Sequence, residues 1–273
     1  MRHVDPFQRH RQRVLAATAS GVAASIGYSV AGARLAANDA GPPSAAGTEY
    51  RRQLAQLLHD RQRLKQIQSR QTKIELKREL IPAYDAWVEG VLEATENGQP
   101  GVQDDVLVTM MIWRIDVGDY AAALPLIAYC LKWGLQLPGH FKRTLAAFAV
   151  EEIAEAAVRA LAPSAERPST DLVKATTDAL AGIERLTHDS DMPDEVRATL
   201  HKAIAMAILA GGEEDGPDRR LRESQALKRY QLALDLDPRS GVKGDIGRLQ
   251  RSLNKEPPSG SADAPSDAAA AEG

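Results

Sequence analysis

Four aspartates, Asp104, Asp105, Asp116 and Asp119, are of a type and spacing that could perform chemistry. Converging carboxylates can hold two divalent ions about 4 Å apart, as in metal-dependent phosphodiester cleavage. The same residues have a structural explanation. Asp104 and Asp119 stand where helix N-caps belong, and Asp116 falls in the last turn of a predicted helix. Capping is the commoner use of such residues, so the pattern does not require an enzyme.

Two further acidic groups follow the same logic. Glu151, Glu152 and Glu155 could share one face of a helix, and a loop at 188–191 contains one His and two Asp. A solvated helix face explains the first group, and a helix cap explains the second. The chain has no glycine-rich phosphate loop before a strand and no GxSxG motif. We therefore predict no cofactor, with Mg²⁺ expected only if the chain itself cleaves phosphodiesters.

Basic residues form three groups that could bind a polyanion: an N-terminal arm, a helix and a loop. The segment 51–80 holds nine Lys and Arg against three Asp and Glu. Such cations neutralise phosphates and release counterions, although a solvated helix surface explains the same charges. The candidate DNA-binding residues are Arg9, Arg11 and Arg13 on the arm, Arg51, Arg52, Arg61, Arg63, Lys65, Arg70, Lys73, Lys77 and Arg78 on the helix, and Lys142 and Arg143 on the loop.

The charge is unevenly distributed along the 273 residues. Residues 1–90 contain 14 Lys and Arg against 8 Asp and Glu, whereas the net charge of the whole chain is −3. A basic segment on an acidic protein is a local surface for polyanions. Cys130 is the only cysteine, which excludes an internal disulfide and a cysteine-rich zinc site. A single free thiol fits a reducing cytoplasm.

Helical spacing, N-caps and glycine stops recur along the chain, while the alternation typical of strands does not. The sequence predicts an all-α protein with a long basic helix followed by an irregular helical domain. We divide it into a flexible basic and Ala-rich arm and linker at 1–48, the long helix at 49–81, a helical domain at 82–255 and a disordered tail at 256–273. The uncharged segment 14–33 resembles a signal peptide, but its small residues make a poor membrane span, so we expect no membrane contact.

The segment MMIWRIDVGDYAAAL at 110–124 predicts a helical hairpin that turns at Gly118. It resembles the turn of a tetratricopeptide hairpin, as does ALKRYQLALDLDP at 226–238. Core packing is the favoured role for Met110, Met111 and Trp113, over a cofactor pocket. Two partial matches predict isolated hairpins of this kind and not a regular array.

The predicted long helix also carries a broken heptad pattern. Its apolar residues lack an obvious partner within the chain, so we expect them to pack against copies of the same protein. This predicts a homo-oligomer. The residues of the pattern are Tyr50, Leu57, Leu64, Ile67, Ile74 and Ile81.

Three stretches closely resemble the small terminase subunits of cohesive-end, contractile-tailed temperate phages. They are KRELIPAYDAWVEGVLE (77–93), the segment 103–144 that contains WRIDVGD, and DMPDEVRATLHK (191–202). The basic start QRHRQRV (8–14) is also similar to that family. The resemblance covers about 50–255, whereas the Ala-rich segment 15–48 and the acidic tail have no match in it.

The resemblance implies a role in genome packaging in the host bacterial cytoplasm. The protein would bind double-stranded phage DNA at the cohesive-end site and present it to the large ATPase subunit for cleavage and packaging. The family is called an endonuclease subunit, although the residues above predict no convincing nuclease site. Two alternatives therefore stay open: a nuclease in its own right, and a helical scaffold without DNA contact.

Overall fold

The structure is a computed structural model that describes residues 10–17, 45–139, 141–163, 167–212 and 218–255. Within these ranges all regular elements are helical, which confirms the predicted all-α class. The predictions for Arg9, for most of the linker and for the tail lie outside the described residues. The helices are α1 (10–17), α2 (Ala45–Gln66), α3 (Arg70–Leu80), a 3-10 turn (Ile81–Ala83), α4 (Asp85–Glu96), α5 (Asp105–Val117), α6 (Tyr120–Lys132), α7 (Leu145–Ala160), α8 (Thr170–Leu186), α9 (Asp194–Ala210), α10 (Arg219–Leu236) and α11 (Lys243–Asn254).

The segment expected to form one helix at 49–81 is divided into α2 and α3. Residues 67–69 are not helical, and Ser69 has an extended backbone, with φ −62° and ψ 126°. Its side chain accepts a hydrogen bond from the backbone N–H of Thr72 at 3.3 Å. Ser69 therefore caps a new helix, because a serine side chain competes well for the free N–H groups of a first turn.

Four of the six apolar residues of the predicted oligomer seam pack inside the chain. Leu57, Leu64 and Ile81 are buried in the main core. Tyr50 stacks on Trp87, with ring centroids 5.5 Å apart. For these four residues the expectation of no intrachain partner is therefore wrong, since α2 packs against α5 in the same molecule. Ile67 and Ile74 are half-buried.

The hairpin of α5 and α6 has the predicted boundaries. Asp104 caps α5, and Gly118 ends it with φ +79°, a conformation that favours glycine. Arg114 clamps the turn, since it donates to Asp85 at 2.7 Å and to Asp119 at 2.6 Å. The predicted packing residues, Met110, Met111 and Trp113, are all buried, as is Ile115. Membership of the tetratricopeptide repeats stays a prediction.

The C-terminal helices pack around α9, which contacts α7, α8 and α10. Alanine side chains, including Ala198, Ala205 and Ala226, are completely buried between these helices. A second apolar cluster around Tyr230 joins α9, α10 and α11. In the part of the chain that the structure describes, none of the helices combines the length and the apolar character needed to cross a membrane.

The N-terminal helix α1 lies directly against α4. A Cβ atom at Gly90 would lie 2.3 Å from the carbonyl oxygen of Arg13 and 2.7 Å from the Cβ of Ala16. The Arg13 side chain donates to Glu93 at 2.7 Å, and Ala16 is fully buried. Residues 10–17 of the predicted flexible arm therefore form a helix that packs against the core. Gly90 makes this close contact possible, because it has no side chain.

Candidate nucleic-acid interface

One face of α2 points to solvent along its whole length. Arg51, Ala55, Leu58, Gln62 and Lys65 are all exposed and follow the spacing of a single helix face. The rise of 1.5 Å per residue places the two cations about 21 Å apart. Leu58, with 60% of its surface exposed, lies between them. The outer face of α2 is therefore basic at its ends and apolar in the middle.

Arg70 and Lys73 continue the basic surface into α3. Arg70 is exposed in the first turn, and Lys73 is half-buried. Like Arg51 and Lys65, they make no ion pair and no side-chain hydrogen bond with any described residue. We call these four residues, Arg51, Lys65, Arg70 and Lys73, the outward cations.

Most of the other predicted DNA-binding residues have partners within the protein. Arg78 donates to the carbonyl oxygen of Val117 at 3.1 Å. Lys142 is exposed. Arg11 lies near Glu49: burial raises the pKa of that carboxyl, but Arg52, a hydrogen bond from Gln53 and the charge of Arg11 together lower it below its ordinary value. The ion pairs are Arg13 with Glu93, Arg52 with Glu49, Arg63 with Asp60, Lys77 with Asp116, and Arg143 with Glu151.

Two of the predicted cations, Arg61 and Lys77, face a cavity of about 310 Å³. Arg61 donates to the hydroxyl of Thr109 at 2.7 Å. Phe141, from the loop between α6 and α7, also lines the cavity. The loop, which also carries Lys142 and Arg143, therefore lies next to α2 and α3 around this cavity. We call it the aromatic cavity, and it is lined by Arg61, Lys77, Thr109, Ile112, Trp113, Asp116, Pro138, Phe141, Phe148 and Glu152.

Asp104 is a buried structural carboxylate. It accepts from the backbone N–H groups of Val106 and Leu107 at 2.8 and 2.9 Å, and from Trp87 Nε1 at 2.8 Å. Burial raises its pKa to about 6, and the three hydrogen bonds oppose this rise. Asp104 therefore caps the N-terminus of α5 and joins it to Trp87 of α4.

The other candidate metal ligands do not converge on Asp104. Asp119 caps α6 and accepts from the N–H of Ala122 at 3.3 Å, while Asp116 pairs with Lys77. His188 and Asp189 contact each other on the surface at 2.7 Å. Among the residues with described positions, no group of three His, Cys, Asp or Glu side chains could hold a metal ion.

Sequence reasoning counted Asp60 as an acidic residue of the basic helix, but the structure buries it. Only 2% of Asp60 is exposed, and it accepts from the Tyr84 hydroxyl at 2.8 Å. Burial raises the pKa of Tyr84, followed by the hydrogen bond to Asp60. The sequence contained a signal for this burial, because position 60 lies on the same helix face as the apolar residues Leu57 and Leu64.

Comparison of the sequence with known proteins places this chain in a family. Residues 54–195 match the family model of the phage small terminase subunit. The chain belongs to the phage small terminase subunit family. It is also 39% identical, over 252 residues, to the protein named "Terminase, endonuclease subunit" of Escherichia phage P2, with 92% of this chain and 87% of that relative covered. No solved structure matches the chain.

The matched region of this small terminase subunit runs from the middle of α2 to the first turn of α9. It therefore includes the aromatic cavity, the capped hairpin and three of the four outward cations, while Arg51 precedes it. Membership of the family gives the protein a role in phage DNA packaging.

Proposed function

We propose that this subunit binds double-stranded viral DNA at the cohesive-end site and presents it to the large ATPase subunit, which cleaves and packages it. The observation that supports DNA contact is the set of outward cations. They face solvent without a carboxylate partner among the described residues, so a phosphate meets no internal competitor there. Phosphate contacts supply affinity and position, and base contacts supply the site preference.

The experiment compares two variants that remove the same charge. In the first, the four outward cations are changed to Ala. In the second, four exposed cations of α10, α11 and their connection are changed to Ala. Ala is a strong helix former, so both variants keep their helices. The control positions are Lys228, Arg239, Lys243 and Arg251.

Affinity is measured by fluorescence anisotropy at several salt concentrations, with cohesive-end and unrelated duplexes. Each lost phosphate contact lowers the slope of log affinity against log salt by about 0.9, so the first variant loses about three to four units if all four residues touch phosphates. Both duplexes weaken alike, and the control variant keeps the slope of the wild type. A wild-type slope in the first variant refutes this DNA surface, and no DNA binding by the wild type favours the scaffold without DNA contact.

The name of the P2 relative, an endonuclease subunit, supports a second candidate, a nuclease in its own right. Such an activity would need Mg²⁺ and would act without the large subunit. Cohesive-end DNA is therefore incubated with Mg²⁺ and the purified small subunit, the large subunit, or both. The adaptor role expects cleavage only where the large subunit is present. Cleavage by the small subunit alone would establish the second candidate instead.

We also propose that the protein acts as a homo-oligomer in the host bacterial cytoplasm. Because Leu57, Leu64 and Ile81 are buried within the chain, the subunit contact must use another surface. Sedimentation velocity at micromolar concentrations, with and without duplex DNA, measures the state. A monomer under both conditions contradicts this part of the proposal.

A further inference from the structure

The aromatic cavity contains a cation without a carboxylate partner. Arg61 reaches into it from α2, and its described partner is the neutral hydroxyl of Thr109, at 2.7 Å. The second cation of the cavity, Lys77, is neutralised by its ion pair with Asp116. Arg61 therefore retains both its charge and further N–H donors for a ligand.

The cavity also contains a carboxylate without a bonded partner in the described part of the chain. Glu152 lines it from α7 and makes no ion pair or hydrogen bond there. Burial is the largest cause that raises the pKa of Glu152, and the negative charges of Asp116 and Glu155 raise it further. The positive charges of Arg143 and Arg159 oppose this rise. One cavity thus holds a donor group and an acceptor group that are not bonded to each other and that keep unused hydrogen-bonding capacity.

Aromatic side chains form the walls beside these two groups. Phe141 and Phe148 meet edge to face, with ring centroids 5.0 Å apart and planes at 70°. Trp113 lies on the same cavity, 4% exposed. Such walls favour a flat, polarisable ring over a flexible chain. The volume of about 310 Å³ lies at the lower end of the range for small-ligand sites, which suits a single base.

A ligand that satisfies this cavity needs a flat frame with an acceptor edge for Arg61 and a donor edge for Glu152. Guanine has both, since O6 and N7 accept from an arginine and N1–H and N2–H₂ donate to a carboxylate. Adenine alternates donors and acceptors and offers a carboxylate no such pair. We propose that the aromatic cavity binds an unpaired guanine base, with Arg61 on its O6/N7 edge and Glu152 on its N1/N2 edge.

The base could come from a free nucleotide or from DNA. In a duplex, N1–H is occupied by base pairing, so a DNA guanine would have to leave the stack, which costs the free energy of unpairing and unstacking. An unpaired or bulged guanine avoids most of that cost. The proposal does not depend on the outward cations, because the cavity lies on the inner side of α2 and α3.

The first experiment titrates the wild type with the four deoxynucleoside monophosphates by isothermal calorimetry. All four carry the same phosphate, so a difference among them reports the base alone. We expect deoxyguanosine monophosphate to bind at least about tenfold more tightly than the other three, the discrimination of one good bidentate contact. Equal binding of the four, or no binding, overturns the proposal.

The second experiment uses Glu152→Gln, which keeps the size of the side chain and removes its charge and one acceptor oxygen. Guanine preference should fall about tenfold or more, while the circular dichroism spectrum stays that of the wild type. Glu155→Gln, an exposed change one turn away, is the matched control and should keep the preference. A Glu152→Gln protein with unchanged guanine preference overturns the assignment, and Arg61→Gln provides the same test at the other edge.

The third experiment identifies the source of the base. Duplexes with one bulged guanine or one bulged adenine are bound by the wild type and by the variant that lacks the outward cations. A guanine preference in both proteins assigns the base to DNA, even if the proposed phosphate surface is wrong. A preference seen with the mononucleotide but not with the bulge assigns a free guanine nucleotide.

Discussion

The substitution Asp104→Asn tests the buried carboxylate that begins α5. Asn keeps one oxygen to accept from the N–H groups of Val106 and Leu107, which Asp104 Oδ1 bonds at 2.8 and 2.9 Å. Its amide group replaces Oδ2, which accepts from Trp87 Nε1 at 2.8 Å, so a donor then faces a donor. A buried donor without an acceptor lowers the free energy of unfolding by about 1–3 kcal/mol at every pH.

A second effect depends on pH and has the opposite sign. The pKa of Asp104 is about 6 in the folded protein, against an ordinary value of 3.8. The folded state therefore holds the proton to higher pH than the unfolded state. The stability that the protonated group contributes is fully present below about pH 4 and is lost as the pH rises through 6. Between pH 4.5 and 7.5 this amounts to about 2 kcal/mol, which the Asn variant cannot lose because an amide does not titrate.

Urea unfolding, followed by circular dichroism from pH 4.5 to 7.5, separates the two effects. The Asn variant should be less stable than the wild type at pH 4.5 and should gain about 2 kcal/mol relative to it by pH 7.5. Asp105→Asn is the matched control: Asp105 is exposed and its charge makes the smallest contribution to the raised pKa of Asp104, so its curve should keep most of the pH dependence of the wild type. A constant difference between wild type and Asp104→Asn would refute the reasoning, because the hydrogen bonds of Asp104 would then fully offset its burial.

Three further changes test the packing. Trp113→Ala removes a side chain that is 4% exposed and should lower the free energy of unfolding by about 3–5 kcal/mol in urea, whereas a loss below about 1 kcal/mol would contradict its core role. Gly90→Leu should displace α1, since even a Cβ lies 2.3 Å from the Arg13 carbonyl oxygen, and hydrogen exchange at 10–17 should accelerate; unchanged exchange would show that α1 is not seated there. Tyr84→Phe removes the hydroxyl that donates to buried Asp60 and should lower the free energy of unfolding in urea by about 1–3 kcal/mol. An unchanged midpoint of the urea transition would mean that this hydrogen bond contributes nothing to stability.

The helix ends were predictable because capping is a local interaction. Asp104, Asp119 and Thr144 each accept from N–H groups two or three residues ahead, so their types and spacing carry the signal. Gly118 ends α5 for the same kind of local reason. The break at Ser69 was missed although it too is a cap, because the charged pattern on either side of it is equally compatible with a continuous helix.

The roles of the charged residues could not be predicted in the same way. Arg61, Lys65 and Lys77 look alike in the sequence, yet Lys65 faces solvent while the other two line the aromatic cavity. The partners of Arg61 and Lys77 lie 48 and 39 residues away along the chain. No local pattern specifies such contacts, since they depend on how α5 crosses α2 and α3.

Residue types and their spacing were enough to predict the helical class, the caps and the glycine stop of the α5–α6 hairpin and, through long specific motifs, the resemblance to small terminase subunits. These features depend on neighbours within one or two helical turns, or on residues that can be compared directly. The packing of distant helices was needed to show that Leu57 and Leu64 serve the core of their own chain, that Asp60 is buried, and that Arg61 and Glu152 share one aromatic cavity. Burial and pairing depend on which helices meet, because helical periodicity defines the faces of a helix without naming what covers them.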